Sequence, residues 1–182
     1  TRRSSDLNIN KIISKHCDFN VDIFSLDIDS IDYWIIDKLK PNISKIFVAE
    51  YNPVFGSSLE VTVPNLENFD RSKYHYSHLC YGMSLKALIN LMSKKNYYFI
   101  GSNSLKNNAF FVSNDFPMNQ YFKKLELESL DYYVDSNVRE SRDITGNLNY
   151  HSGEKKLNEI LDCEVVDISD DINKKIKIKD IL

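Results

Sequence analysis

Glycine and cysteine are both scarce in this chain of 182 residues, with five and three copies. No glycine falls in a G-x-G-x-x-G or similar turn after a strand, so the sequence encodes no loop of the kind that cradles a dinucleotide. Cys17, Cys80 and Cys163 are odd in number and widely spaced, with no CxxC pair and no Cys/His cluster. That spacing argues against zinc and against an even disulfide framework; reduced, structural thiols in a cytoplasmic protein are the expectation. No apolar run approaches the ~20 residues needed to span a bilayer, and no signal-peptide pattern is present. A formal net charge of -3 gives no bulk basicity, so neither nucleic acid nor an anionic membrane is expected as a partner. The chain opens Thr1-Arg2-Arg3 without methionine, as a piece of something longer would.

What is present suits one globular domain. Hydrophobic residues at 42% and charged residues at 27% are ordinary for a chain able to bury a core. Ser4, Ser5 and Asp6 offer cap oxygens before Ile9, Ile12, Ile13 and His16, whose spacing predicts an amphipathic helix. Val21 to Asp27 reads as a buried strand ending in acid. Asp32 is placed to cap a helix carrying Tyr33, Trp34, Ile35, Ile36 and Leu39, which Pro41 stops. Ile46-Phe47-Val48-Ala49 is a second buried strand, again closed by acid at Glu50. Strand, helix and strand in this length make a βαβ unit.

From Tyr51 to Tyr81 the pattern turns irregular, with Pro53, Gly56 and Pro64, and predicts a long loop or lid. Ser84 then caps a helix bearing Leu85, Leu88, Ile89 and Met92, with Lys94 and Lys95 in its last turn. Tyr97-Tyr98-Phe99-Ile100 and Ala109-Phe110-Phe111-Val112 are two strands whose connector is too short for a helical crossover, so they should pair antiparallel. Beyond Ser113 the signal weakens. A helix over Tyr121 to Val134, a polar loop over Arg139 to Gly146 and a strand at Cys163 to Ile168 are expected, and Lys174 to Lys179 suits an exposed edge strand as well as a frayed tail. Residues 1–113 form the core and 114–182 a C-terminal extension of one partial domain.

A parallel strand pair followed by an antiparallel finish is how a class I methyltransferase sheet ends, which gives an α/β, Rossmann-like expectation with the N-terminal strands absent. The motifs carry the comparison further. Asp22-Ile23-Phe24-Ser25-Leu26-Asp27-Ile28-Asp29-Ser30-Ile31-Asp32 resembles the FkbM-type S-adenosylmethionine-dependent methyltransferase signature, a strand ending in Asp-x-Glu/Asp-Gly-x-Glu/Asp. Val48-Ala49-Glu50-Tyr51-Asn52 resembles the glutamate-ended fifth strand of that group. Tyr81-Gly82-Met83-Ser84-Leu85 and Asn108-Ala109-Phe110-Phe111-Val112 are similar to the later blocks of its Asp-Ile-Asp subgroup. The resemblance spans roughly Asp6 to Val112. Ser30 departs from it, standing where the family usually has glycine.

The resemblance implies an O-methyltransferase acting on a hydroxyl of a glycan or small metabolite, with S-adenosylmethionine held mostly by residues outside this chain. The runner-up is a non-catalytic module of the same fold that binds a glycan or protein. Ligands of open α/β sheets sit beyond the carboxyl ends of the strands, which makes Asp27, Asp29 and Glu50 the candidate acids. Asp27 leads as the base that takes the acceptor's proton. His75 and His78 are further candidates for that role, since histidine titrates near neutrality. Tyr33, Asn52 and Tyr81 are candidate substrate contacts. Asp27, Asp29, Asp32, Glu50 and Asn52 form an oxygen-rich set suited to magnesium or calcium.

Overall fold

The computed structural model describes residues 9–19, 21–117, 121, 140–170 and 172–182. The cap expected from Ser4, Ser5 and Asp6 lies outside these residues, as does the helix expected over 121–134 beyond Tyr121. The chain is a mixed α/β protein with two sheets.

In the first part, α1 (Ile9–His16) precedes β1 (Val21–Leu26), α2 (Asp32–Lys38) and β2 (Ser44–Glu50). Helix α1 lays Ile9 and Ile13 against the core but leaves Ile12 40% exposed. Helix α2 ends as expected shortly before Pro41, with the Leu39 amide closing back onto the carbonyls of Ile35 and Ile36. Helix α4 (Leu85–Lys94) follows the irregular region. Its N-cap is Ser84, whose Oγ accepts from the Ala87 amide at 3.2 Å. Strands β4 (Tyr97–Ser102) and β5 (Asn108–Ser113) complete a four-stranded sheet in the order β1-β2-β5-β4.

Strands β1 and β2 are parallel, while β5 is antiparallel to both β2 and β4. Phe47, Phe111 and Phe99 stand in register across three adjacent strands, and all three are buried. Their rings, with Tyr97, fill the space beneath α2 and α4, where Ile36, Leu88 and Met92 are also buried. Strand β1 is the outer strand, paired only with β2 among the described residues, and its Ile23 is 62% exposed.

The stretch 51–81 differs from the expected loop or lid. Val61, Val63, Phe69, Leu79 and Tyr81 are buried in the main core. Strand β3 (Val61–Thr62) and the short α3 (Arg71–Tyr74) lie within it. A lid needs a backbone satisfied by water, but here the protein's own groups satisfy it, as where the Val63 amide donates to the Gly82 carbonyl. Ser84 Oγ accepts from the Val61 amide, and Thr62 Oγ1 donates to the Gly82 carbonyl. The C-terminal part supplies α5 (Glu154–Glu159), β6 (Glu164–Asp167) and β7 (Lys174–Lys177), and these strands join β3 in a second sheet ordered β3-β6-β7. The lysine-rich edge strand is thus present as β7.

The cysteine expectation is corrected. Cys80 and Cys163 form a disulfide across 83 residues, and Cys17 alone is free. Both partners are buried because the second sheet folds back onto the segment before α4. The expectation of a reduced, cytoplasmic protein rested on those thiols and loses that support. Among the described residues no helix is long and apolar enough to cross a membrane.

Candidate functional site

Parallel pairing sets Leu26 opposite Ala49, so Asp27, just past the end of β1, comes beside Glu50, the last residue of β2, which is itself paired with Asn108 of β5. The chain then turns and brings Asp29 back beside them. Carboxylate oxygens of Asp27, Asp29 and Glu50 lie within 4.8 Å of one another. The three grade from wall to mouth: Glu50 is buried, Asp29 half-buried and Asp27 exposed. Carboxylates held this close offer oxygens that a hard cation could share.

The turn itself is fixed from two sides. Asp29 takes a left-handed conformation (φ 53°), which aspartate adopts more readily than most residues. The strained position of the turn is therefore residue 29, and Ser30 has no need of the freedom glycine would bring. Ser30 is buried, with its Oγ lacking a hydrogen-bond partner. From one side Asp32 accepts from the amides of Ile28 (3.1 Å) and Ser30 (3.0 Å). From the other, the Gly82 amide donates to the Ser30 carbonyl at 3.0 Å. Gly82 does so at φ 61°, a conformation that favours glycine.

Asp32 is thus not the helix cap. Ile31 occupies that position without a side-chain bond, and Asp32 reaches backward into the turn. Burial pushes its carboxyl up to about 6, the two backbone amides pull it down, and Asp27 adds a smaller upward push. A carboxyl raised above its ordinary 3.8 favours folding most at low pH, and that contribution is lost as pH rises through 6. Carrying the Asp32 charge in the folded state at neutral pH therefore costs roughly 3 kcal/mol. Urea unfolding of the wild type and of Asp32→Asn, compared across this range, should show wild-type stability falling relative to the variant as pH rises from 4 to 7. A constant difference would mean that Asp32 does not titrate in the fold.

The other candidate residues lie apart from the three acids or are already occupied. Asn52 is fully buried: its Nδ2 donates to the carbonyls of Leu79 (2.8 Å) and Tyr81 (3.0 Å), and its Oδ1 accepts from the Val54 amide. Its side chain therefore clamps residues 79–81 to the end of β2. Tyr81 is buried beneath the Arg71 guanidinium, 5.7 Å from the ring centre. His75 is buried, with Nδ1 2.7 Å from Ser77 Oγ and Nε2 3.1 Å from Asp162 Oδ1. This has the composition of a serine–histidine–aspartate relay, but Ser77 has no exposed surface, so no substrate reaches its hydroxyl. His78 adopts φ 60°, and its imidazole is pushed below the ordinary histidine range by burial, then by Arg142 and Arg71.

Tyr33 stacks edge-on against Trp34, and its phenol is raised to about 12 by burial and by Asp37 and Glu60. It lines an open groove of about 700 Å³ with Asp37, Glu60, Asn90, Ile168 and Asp170. The groove does not include the three acids. The acids form the better candidate for chemistry, because groups converging at strand ends can act on one atom, whereas the groove offers dispersed polar contacts. Sequence reasoning missed this groove and the His75 network. The groove depends on the turn after β6, and the His75 network on Asp162 just before β6, each meeting segments far earlier in the chain, and no local pattern signals that.

No protein-family model matches the chain, and no curated protein or solved structure matches it either.

Proposed function

We propose that this chain is the acceptor-side half of an S-adenosylmethionine-dependent O-methyltransferase acting on a hydroxyl of a glycan or small metabolite. The observation that carries the reading is the main sheet: a parallel β1–β2 pair, then the antiparallel β4–β5 finish, with acids converging where β1 and β2 end. The outer edge of β1, with Ile23 exposed, is consistent with further strands on that side.

The residues here do not by themselves fit S-adenosylmethionine. No glycine-rich turn follows a strand, and the site consists of three carboxylates, so no step is derived through the cofactor. What the chain's own residues do is limited and definite. Asp27, the exposed acid, accepts the proton that the acceptor hydroxyl loses on methylation. Asp29 and Glu50 set the field around it, and Asp32 with Gly82 holds the turn in place. Asp27, Asp29 and Glu50 also fit a magnesium ion, which when bound would acidify the acceptor hydroxyl. Asp32 and Asn52 are committed to backbone groups and would stand outside that set.

The groove beside Tyr33 favours a second reading, a non-catalytic module in which an aromatic ring and dispersed carboxylates bind a sugar or protein. Transfer of labelled methyl from S-adenosylmethionine by the full-length gene product, offered a panel of hydroxylated acceptors, separates the two. Incorporation into a hydroxyl supports the enzyme. Glycan binding without incorporation supports the module.

A further inference from the structure

The segment from Tyr74 to Tyr81, whose end Asn52 clamps, is fastened to the C-terminal part of the chain at four places. Tyr74 Oη donates to the Glu164 carbonyl at 2.6 Å, His75 Nε2 lies 3.1 Å from Asp162 Oδ1, and Tyr76 Oη donates to Glu159 Oε2 at 3.0 Å. The fourth fastening is the Cys80–Cys163 disulfide. Asp162 is 66% exposed and Tyr76 36%, so water competes for two of these polar contacts. The second sheet adds two residue pairs between β6 and β3, Val61 with Asp167 and Thr62 with Val166, and Ile160, Val165 and Ile178 are buried in the shared core. The disulfide is the one covalent tie between the two parts, and it falls beside the residues that hold Asn52. Leu79 and Tyr81, the neighbours of Cys80, supply the carbonyls that hold Asn52, two positions beyond Glu50.

We infer that the Cys80–Cys163 disulfide is a redox latch on the acid site. Closed, it fixes residues 79–81 on Asn52 and so steadies the end of β2. Opened by a dithiol reductant, it frees residues 79–81 and the β6–β7 hairpin and loosens the site. In opening, a thiolate of the reductant attacks one cystine sulfur, the S–S bond breaks, and its electron pair leaves with the other sulfur, which takes a proton. The second thiol then resolves the mixed disulfide. The protein gains two thiols and the dithiol is oxidised to its own disulfide. Both sulfurs are buried, so attack first requires the contacts of Tyr74, His75 and Tyr76 to open. The inference takes from the proposed function only that the acids are the site.

Thiol titration in denaturant and native-state amide exchange, before and after dithiothreitol, test the latch on the full chain. One reactive thiol, Cys17, is expected before reduction and three after. On reduction the amides of Asn52, Gly82 and Ile168, each bonded to a backbone carbonyl, should exchange about ten-fold faster while Phe111 and Val112 hold. A Cys80→Ser, Cys163→Ser double variant should copy the reduced pattern. Should it fail to fold, the chemically reduced wild type decides. Three thiols before reduction, or unchanged exchange at Asn52 after it, overturns the latch. So does uniform quickening that includes Phe111, which would make the bond a staple for the whole fold. None of these readouts involves methyl transfer, so failure of the latch and failure of the methyltransferase reading remain distinguishable.

Discussion

Phe111→Ala is expected to cost the fold about 3–5 kcal/mol, a large part of the total stability of a domain this size. The ring has no exposed surface and stands at the middle of the sheet, opposite Phe47 on β2 and Phe99 on β4. Its centroid lies 5.6 Å from that of Phe99, a contact that adds to the area it buries. Strand backbones on both sides hold the position, so the site cannot collapse around alanine and a cavity remains. Ile144, 81% exposed, is the control: Ile144→Ala should change stability by less than about 0.5 kcal/mol. Urea unfolding of the two variants measures the difference. Equal small losses would mean that the aromatic layer is not the core.

Asp27→Asn is expected to lower methyl transfer by the full-length gene product by about 10²- to 10⁴-fold, the range for loss of a general base. The amide has nearly the shape of the carboxylate, and Asp27 is exposed, so folding should be little affected. Asp27 is the most exposed of the three acids; Asp29 is half-buried and Glu50 is buried. The loss should fall on turnover with cofactor affinity intact. Unchanged turnover would remove Asp27 from the chemistry.

The elements legible in the sequence are those whose signals are local. The run Ile46 to Ala49, the Ser84 cap with its stripe of Leu85, Leu88 and Met92, and the short connector between β4 and β5 each declare their structure within a few residues. The acids at strand ends were legible for the same reason, since an acid closing an apolar run marks the carboxyl edge of a parallel pair. Asp32 was misassigned because a cap and a back-bond to the preceding turn share one sequence pattern. The turn settled the matter by placing two donating amides, Ile28 and Ser30, within reach.

The stretch 51–81 was hidden for a different reason. Its backbone is satisfied by scattered backbone bonds, such as the Val63 amide to the Gly82 carbonyl, and by the side chains of Asn52 and Ser84, with little periodic ladder, so it looks like loop while packing as core. The second sheet depends on Val61 and Thr62 meeting β6 more than a hundred residues later. The same long return brings Cys163 to Cys80, which an odd count of widely spaced cysteines concealed. Asn52 and Tyr81 illustrate the consequence for site prediction. Both lie close in sequence to the acids or to a motif, yet their polar and aromatic groups are used to hold the site's surroundings.

If the acids at the ends of β1 and β2 form one side of a methyl-transfer site, the full-length gene product binds S-adenosylmethionine. Calorimetric titration of S-adenosylmethionine into the full-length gene product tests it most directly. Saturable binding that persists in Asp27→Asn is the result expected. Absence of binding by the folded, full-length protein would contradict the account.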